Sequence, residues 1–234
     1  FNSMVIKIRN LIMDKYKAEV SEKNASIKAL EAQVNPHFLN NSLQTIATIA
    51  LKNGDGDIYD MIEALASNLR YSIKGKERVS VEEELGFLMK YLSIQKARFG
   101  DRLSIEYEIE ESTLKTIIPK MSIQIFVENA IVHGLEETIE NILIFVKAIR
   151  NEDNIVISVI DNGVGISPSK MKKILSNLSE NNWTDKYNDS LGIINVNFRL
   201  KFLYNGHAFI RINSAKNIGT KIDLVLPIEG ELNV

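Results

Sequence analysis

Apolar residues change their spacing near residue 76, and that change limits the chain to a helical part followed by a sheet-containing part. Before it, Leu39, Leu43, Ile46 and Ala50 recur every three or four positions, and a second such stripe runs through Ile58, Ile62, Leu65 and Leu69. Between the stripes lies the turn-like stretch Lys52-Asn53-Gly54-Asp55-Gly56-Asp57. Two helices joined so closely form an antiparallel hairpin with one apolar face each. Two hairpins from two chains would close a four-helix bundle, so a dimerising hairpin over residues 31–76 and a homodimer are expected. Upstream, Met4 to Val34 holds no Pro or Gly, and Ile27, Leu30 and Val34 keep a helical seam, which predicts an entering signalling helix over residues 1–30. Asn35-Pro36 then places a good N-cap residue before a proline at the first helical position, where a helix restarts.

After the Gly- and Lys-rich break at Ser72 to Lys76 the texture differs. A helix is predicted from about Ser80 to Arg98, and strands at Leu103 to Ile109, Ile142 to Ile149, Ile155 to Ile160, Ala208 to Ile212 and Lys221 to Leu226. Asn151 to Asn154 and Ala215 to Thr220 read as hairpin turns, so the sheet should be mixed or antiparallel. Further helices are predicted at Lys120 to Gly134 and Leu191 to Leu203, giving a helix layer on one sheet face. The expected fold class is therefore α+β, the second domain spanning 77–230. Residues 165–190 are polar and read as a loop with one short helix.

Composition narrows the functions. The 28 Lys and Arg against 30 Asp and Glu leave a formal charge of −2, so no global basic field draws the chain to nucleic acid. The absence of cysteine excludes disulfides and thiolate metal sites. No apolar stretch approaches the roughly 20 residues of a membrane span. The chain opens on Phe1, with Met4 following Asn2 and Ser3, and an internal piece of a longer polypeptide is expected.

Four groups of residues carry candidate chemistry. At 100° per residue, His37 stands about 160° from the first apolar stripe, on the side of Asn41, Gln44 and Thr48. Its imidazole would face water, where another domain could reach it, although a surface histidine needs no function at all. Asp161-Asn162-Gly163-Val164-Gly165 follows the apolar run Ile155 to Ile160. A carboxylate at a strand end can accept a hydrogen bond from a base amine, and the glycines allow close backbone approach, although Asp-Asn-Gly is also a common turn. Asn129 and His133 are four apart on one helix, offering a hard oxygen for Mg²⁺ and a donor for phosphate. Ser190-Leu191-Gly192 opens a helix whose free amides would attract an anion, and Gly219-Thr220 joins the last two strands.

That order of helix Asn, strand-end Asp-x-Gly-x-Gly, polar loop, Gly-opened helix and Gly-Thr resembles the GHKL ATPase superfamily, with its Bergerat-type sandwich. Gln33-Val34-Asn35-Pro36-His37-Phe38-Leu39-Asn40-Asn41 resembles the phosphoacceptor box of LytS/YesM-type sensor histidine kinases, and Tyr91 to Phe99 and Val127 to Gly134 resemble two further hallmarks. The likeness covers roughly residues 28 to 227. It implies ATP and Mg²⁺ as cofactors, His37 as phosphoacceptor, Asn129 as Mg²⁺ ligand and Asp161 as the adenine-reading carboxylate. It also implies that Gly163 and Gly165 hinge the pocket, that His133 contacts phosphate, that Gly192 holds phosphates, and that Gly219 and Thr220 close the adenine end. Residues 166–189 would form the ATP lid. The partner would be a response regulator, and an upstream sensor region would anchor this cytoplasmic part in the bacterial cell membrane.

The chain departs from the family pattern at Asn40, Gln44 and Ser190, and Phe38 follows His37 where many histidine kinases place an acidic residue. The base for His37 is thus open, with Glu128 the candidate. The departures keep an alternative alive, a degenerate, non-catalytic nucleotide-binding module. A hydrolytic ATPase is disfavoured, because Ile125 stands where such enzymes carry a water-activating Glu.

Overall fold

The computed structural model describes residues 36–73, 76–136, 141–179 and 191–228. The entering helix, the Asn35 cap, Ser190 and the second half of the expected lid lie outside these residues. The chain divides into two compact units, Phe1–Ala66 and Ser67–Val234, against an expected boundary near residue 76.

In the first unit the expected hairpin helices are α1 (Pro36–Asn53) and α2 (Gly56–Ile73), the latter running on into the second unit. Gly54, at φ 82°, ends α1 in the left-handed conformation, and the Asp55 amide returns to the Ala50 carbonyl at 3.0 Å. The fully buried positions match the stripes only at Ala50. Ala47, Ala50 and Ala66 are buried, whereas Ile46, Ile58 and Leu65, each assigned to a stripe, are close to half exposed. Ile49 and Met61 share that exposure. The small side chains are enclosed and the large ones stay outside, leaving an apolar surface wider than the unit itself covers.

The second unit opens with β1 (Arg78–Ser80) and α3 (Val81–Phe99). Ser80 and Glu83 form a capping box at the start of α3: the Ser80 hydroxyl accepts from the Glu83 amide at 3.1 Å, and the Glu83 carboxylate accepts from the Ser80 amide at 3.0 Å. There follow β2 (Leu103–Ile109), β3 (Ile117–Pro119) and α4 (Ser122–Ile131), the last continuing into a π turn (Val132–Glu136). Then come β4 (Ile142–Arg150), β5 (Asn154–Asp161), α5 (Pro168–Ser179), α6 (Leu191–Leu203), β6 (Phe209–Ala215) and β7 (Gly219–Pro227).

The five-stranded sheet has the order β2-β4-β5-β7-β6, with β2 parallel to β4 and every other pair antiparallel. It is the mixed sheet that the hairpin spacing predicts. The short strands β1 and β3, absent from the sequence reading, pair antiparallel apart from it. One face of the sheet presents Ile144, Val146 and Ala148 of β4 and Ile155, Ile157 and Val159 of β5 to a core shared with Phe126 and Val127 of α4 and Val196 and Leu200 of α6. The other face carries a cross-strand row: Glu108, Lys147, Ser158, Asp223 and Arg211 stand side by side across all five strands. Lys147 meets Glu108 at 2.7 Å, and Asp223 accepts from Ser158 at 2.6 Å and from Arg211 at 3.1 Å.

Candidate functional site

Asp161 is the last residue of β5, paired with Ile144 and Thr220, and continues the row Ile155, Ile157, Val159 on the helix-covered face. The alternation that buries three apolar side chains therefore delivers a carboxylate at the sheet's edge of the core. The amides of Gly163 and Thr220 both converge on its Oδ1, at 2.9 and 3.2 Å, while Oδ2 accepts no hydrogen bond among the described residues. Burial raises the carboxyl above the ordinary aspartate value, opposed by these two amides and by the nearby charge of His133. A half-buried carboxylate held through one oxygen can offer the other to an incoming N–H donor.

The glycines around it also have a role within the chain itself. A Cβ on Gly165 would run into the Ala215 carbonyl, and one on Gly219 into the Asp161 carbonyl. Both have positive φ, 63° and 126°. They let the chain approach itself, pressing the β6–β7 turn against the end of β5. A Cβ on Gly163 would stand 3.0 Å from Asp161 Oδ1 and 3.5 Å from the Gly134 Cα. The Asp-x-Gly-x-Gly segment is thus packed onto the end of the helix that bears Asn129 and His133.

That helix departs from expectation at both ends. Pro119 belongs to β3, α4 begins at Ser122, and the last turn widens into the π turn. Asn129 keeps α-helical geometry, but His133 lies within the wider turn, so the assumed four-residue register between them is stretched. Both are half-buried. Glu128 is exposed, yet the protein atoms around its head group raise its carboxyl above the usual value. At the start of α6, a Cβ on Gly192 would meet the Ile125 side chain at 2.9 Å, so Gly192 lies against α4 one turn before Asn129.

Ser214 was not foreseen. Its hydroxyl accepts from the Ile166 amide at 2.8 Å and reaches the Gly219 carbonyl at 2.8 Å and the Thr220 hydroxyl at 2.9 Å. It ties the root of the polar segment to the β6–β7 turn, and nothing in a Ser-Ala-Lys-Asn turn signals that. The segment after it holds α5, twelve residues long, more helix than the sequence implies.

Asp161, Gly163, Gly165, Gly219 and Thr220 therefore form one cluster, with His133 and Gly134 beside it, while Gly192 sits against the helix carrying Asn129. His37 lies in the first turn of α1, in the other unit. Among the described residues no group of three or more His, Cys, Asp or Glu could hold a metal. A lone Asn oxygen suits a magnesium ion that brings phosphate and water ligands with it.

Comparison with known proteins gives this geometry its family. Residues 25–103 match a histidine kinase family model, and residues 118–230 match the family of histidine kinase-, DNA gyrase B- and HSP90-like ATPases. The sensor histidine kinase YesM of Bacillus subtilis is 30% identical over 99% of the chain. The chain belongs to the sensor histidine kinase family of two-component systems. The sensor protein LytS of Staphylococcus saprophyticus is 32% identical over 88% of the chain, and the sensor histidine kinase YpdA of Escherichia coli 33% identical over 87%. The chain spans 38%, 34% and 34% of those three relatives' own lengths. Among the described residues no helix is long and apolar enough to cross a membrane.

Proposed function

We propose that this chain is the catalytic part of a sensor histidine kinase that binds Mg²⁺-ATP and transfers the γ-phosphoryl group to His37, from which a response regulator's aspartate receives it. The observation that carries the reading is Asp161, pinned by two amides through Oδ1 with Oδ2 available to the adenine amine. Gly163, Gly165, Gly219 and Thr220 shape that end of the pocket, and the Gly192 end of α6 offers its amides to phosphate. Magnesium, when bound, neutralises charge on the phosphates. Asn129 would supply the protein's oxygen to it, and His133 a donor to a phosphate.

The side chains otherwise contribute placement. A neutral imidazole nitrogen of His37 attacks in line, so catalysis rests on alignment and charge compensation. Glu128, with its raised carboxyl, is the candidate to take the imidazole proton. Two copies of the hairpin would close over the exposed apolar surface as a homodimer, and the remainder of the polypeptide would supply a membrane-anchored sensor, leaving this part cytoplasmic. Incubation with γ-labelled ATP and Mg²⁺ should give an acid-labile, base-stable label that disappears in His37→Ala; label that persists in the variant overturns the reading.

A further inference from the structure

Glu84 lies on α3 with 1% of its surface exposed and belongs to none of the motifs above. Its carboxylate accepts four hydrogen bonds. Oε2 takes the Tyr71 hydroxyl at 2.7 Å and the Met121 amide at 2.9 Å; Oε1 takes the amides of Ile123 and Gln124 at 3.1 and 3.4 Å. Three of these donors are the amides that open α4. That helix has no cap of its own: Met121 precedes it at φ 63°, with no side-chain hydrogen bond to the first turn. A carboxylate from a neighbouring helix does the work a local Ser or Asp would do, and its charge complements the helix dipole.

The far end of the same helix carries Glu128 and Asn129. Its approach is pinned from a second side by α6 and the residue that follows it: Arg199 donates to the Lys120 carbonyl at 2.8 Å, and the Tyr204 hydroxyl to the Ile117 carbonyl at 2.6 Å. The helix whose Gly192 end faces phosphate therefore also holds the start of the helix bearing the magnesium ligand. Tyr71, the fourth donor, sits in the last turn of α2, the second hairpin helix, and both it and Glu84 fall within the unit Ser67–Val234. The Tyr71 ring also stacks on Phe87 of α3 at 3.6 Å between centroids, which fixes where its hydroxyl points. A helix is stiff along its axis, so a shift at its capped end is felt undiminished at the other.

We propose that Glu84 is a positioning residue through which the last turn of α2 sets the axial placement of the Asn129-bearing helix, and with it the geometry of phosphoryl transfer. This rests on the nucleotide reading above and adds a residue to it. Asp161 and Asn129 separate the two ideas, because adenosine would report on the first and magnesium on the second.

The experiment uses the full chain with Glu84→Gln and Tyr71→Phe, folding being checked by thermal melting. Gln presents one acceptor oxygen and no charge. Amides 121–124 should lose hydrogen-exchange protection in Glu84→Gln, and the gain in ATP affinity on adding Mg²⁺ should fall about tenfold, the size of one charge-assisted hydrogen bond. Adenosine affinity should stay within about twofold, since Asp161 is held by other groups. Tyr71→Phe keeps every amide bond; it should bind Mg²⁺-ATP as the parent does and autophosphorylate several-fold more slowly at saturating ATP. A folded Glu84→Gln with parental magnesium dependence overturns the proposal, as does a Tyr71→Phe with the parental rate. Should Glu84→Gln fail to fold, Tyr71→Phe decides alone. Should the parent bind Mg²⁺-ATP without phosphorylating His37, the kinase reading fails, and the magnesium readout still tests Glu84.

Discussion

The hairpin and the sheet unit spend their apolar residues in opposite ways. In the hairpin as far as Ala66 the enclosed side chains are alanines, while Ile46, Ile49, Ile58, Met61 and Leu65 remain between 42% and 52% exposed. In the sheet unit Phe126, Leu88, Ile144, Leu200 and Leu224 are all but sealed from water. The sheet unit has a sealed core of large side chains, although Phe202 and Ile218 stay at its surface, whereas the residues up to Ala66 fully enclose none of theirs among the described residues. The difference accords with the division of labour proposed above, in which association and the acceptor histidine would belong to the first and nucleotide recognition to the second.

Variants can break that division. His37→Ala should abolish phosphorylation altogether while leaving ATP affinity unchanged by calorimetry; a parallel loss of binding would show that the units are not separable. Leu65→Ala removes a half-exposed large side chain from each copy of a dimer, so dissociation should become easier by about 1 to 3 kcal/mol from lost burial, read by sedimentation, with nucleotide affinity untouched. A variant that dimerises as tightly as its parent would take the exposed face out of the interface. Gly219→Ala should do the reverse. The added methyl meets the Asp161 carbonyl at a backbone angle that L residues avoid, lowering the sheet unit's stability by about 2 to 4 kcal/mol in a thermal melt, without changing the oligomeric state.

Smaller effects sharpen the same contrast. Asp161→Asn should weaken ATP by about 1 to 3 kcal/mol with the fold intact, and unchanged affinity would remove Asp161 from the pocket. The pH dependence follows from the raised carboxyl. Adenine needs the ionised form, so affinity should decline as pH falls, starting above the ordinary aspartate value of about 3.9. Stability runs the other way: the folded state holds this proton more tightly than the unfolded chain, so the group's contribution falls as pH rises through its folded pKa. Asp161→Asn should flatten the binding profile; a slope that survives it would assign the proton elsewhere.

Much of this was legible in the chain because strong periods leave little choice. α6 occupies the residues its pattern predicts, and the runs around Ile144 and Ile157 could only be strands. The hairpin was legible as helices but not as burial, since a stripe shows which face is apolar and not which partner covers it; hence Ile46 outside and Ala47 inside. β1 and β3 escaped because three residues cannot display a period, and with them went the true start of α4 beyond Pro119. The site's carboxylate and glycines stood out by spacing, but the glycines' reason did not, because the carbonyls of Ala215 and Asp161 meet them only through the fold. Glu84 was invisible for the same cause. The amides it caps lie 37 to 40 positions away, a separation no local rule can see.

The charged row on the sheet's second face answers a question that apolar alternation leaves open. Sliding one strand past its neighbour by two residues keeps each greasy side chain on its proper side, so hydrophobicity hardly distinguishes the right alignment from that neighbour. Asp223 does distinguish it. Itself 0% exposed, it would lose the Ser158 hydroxyl in a slide on one side or the Arg211 guanidinium in a slide on the other, keeping Lys221 of its own strand at 3.3 Å but one buried hydrogen bond fewer. The row thus acts as an index mark for the sheet, and the placement of Asp161 opposite Thr220 is inherited from it.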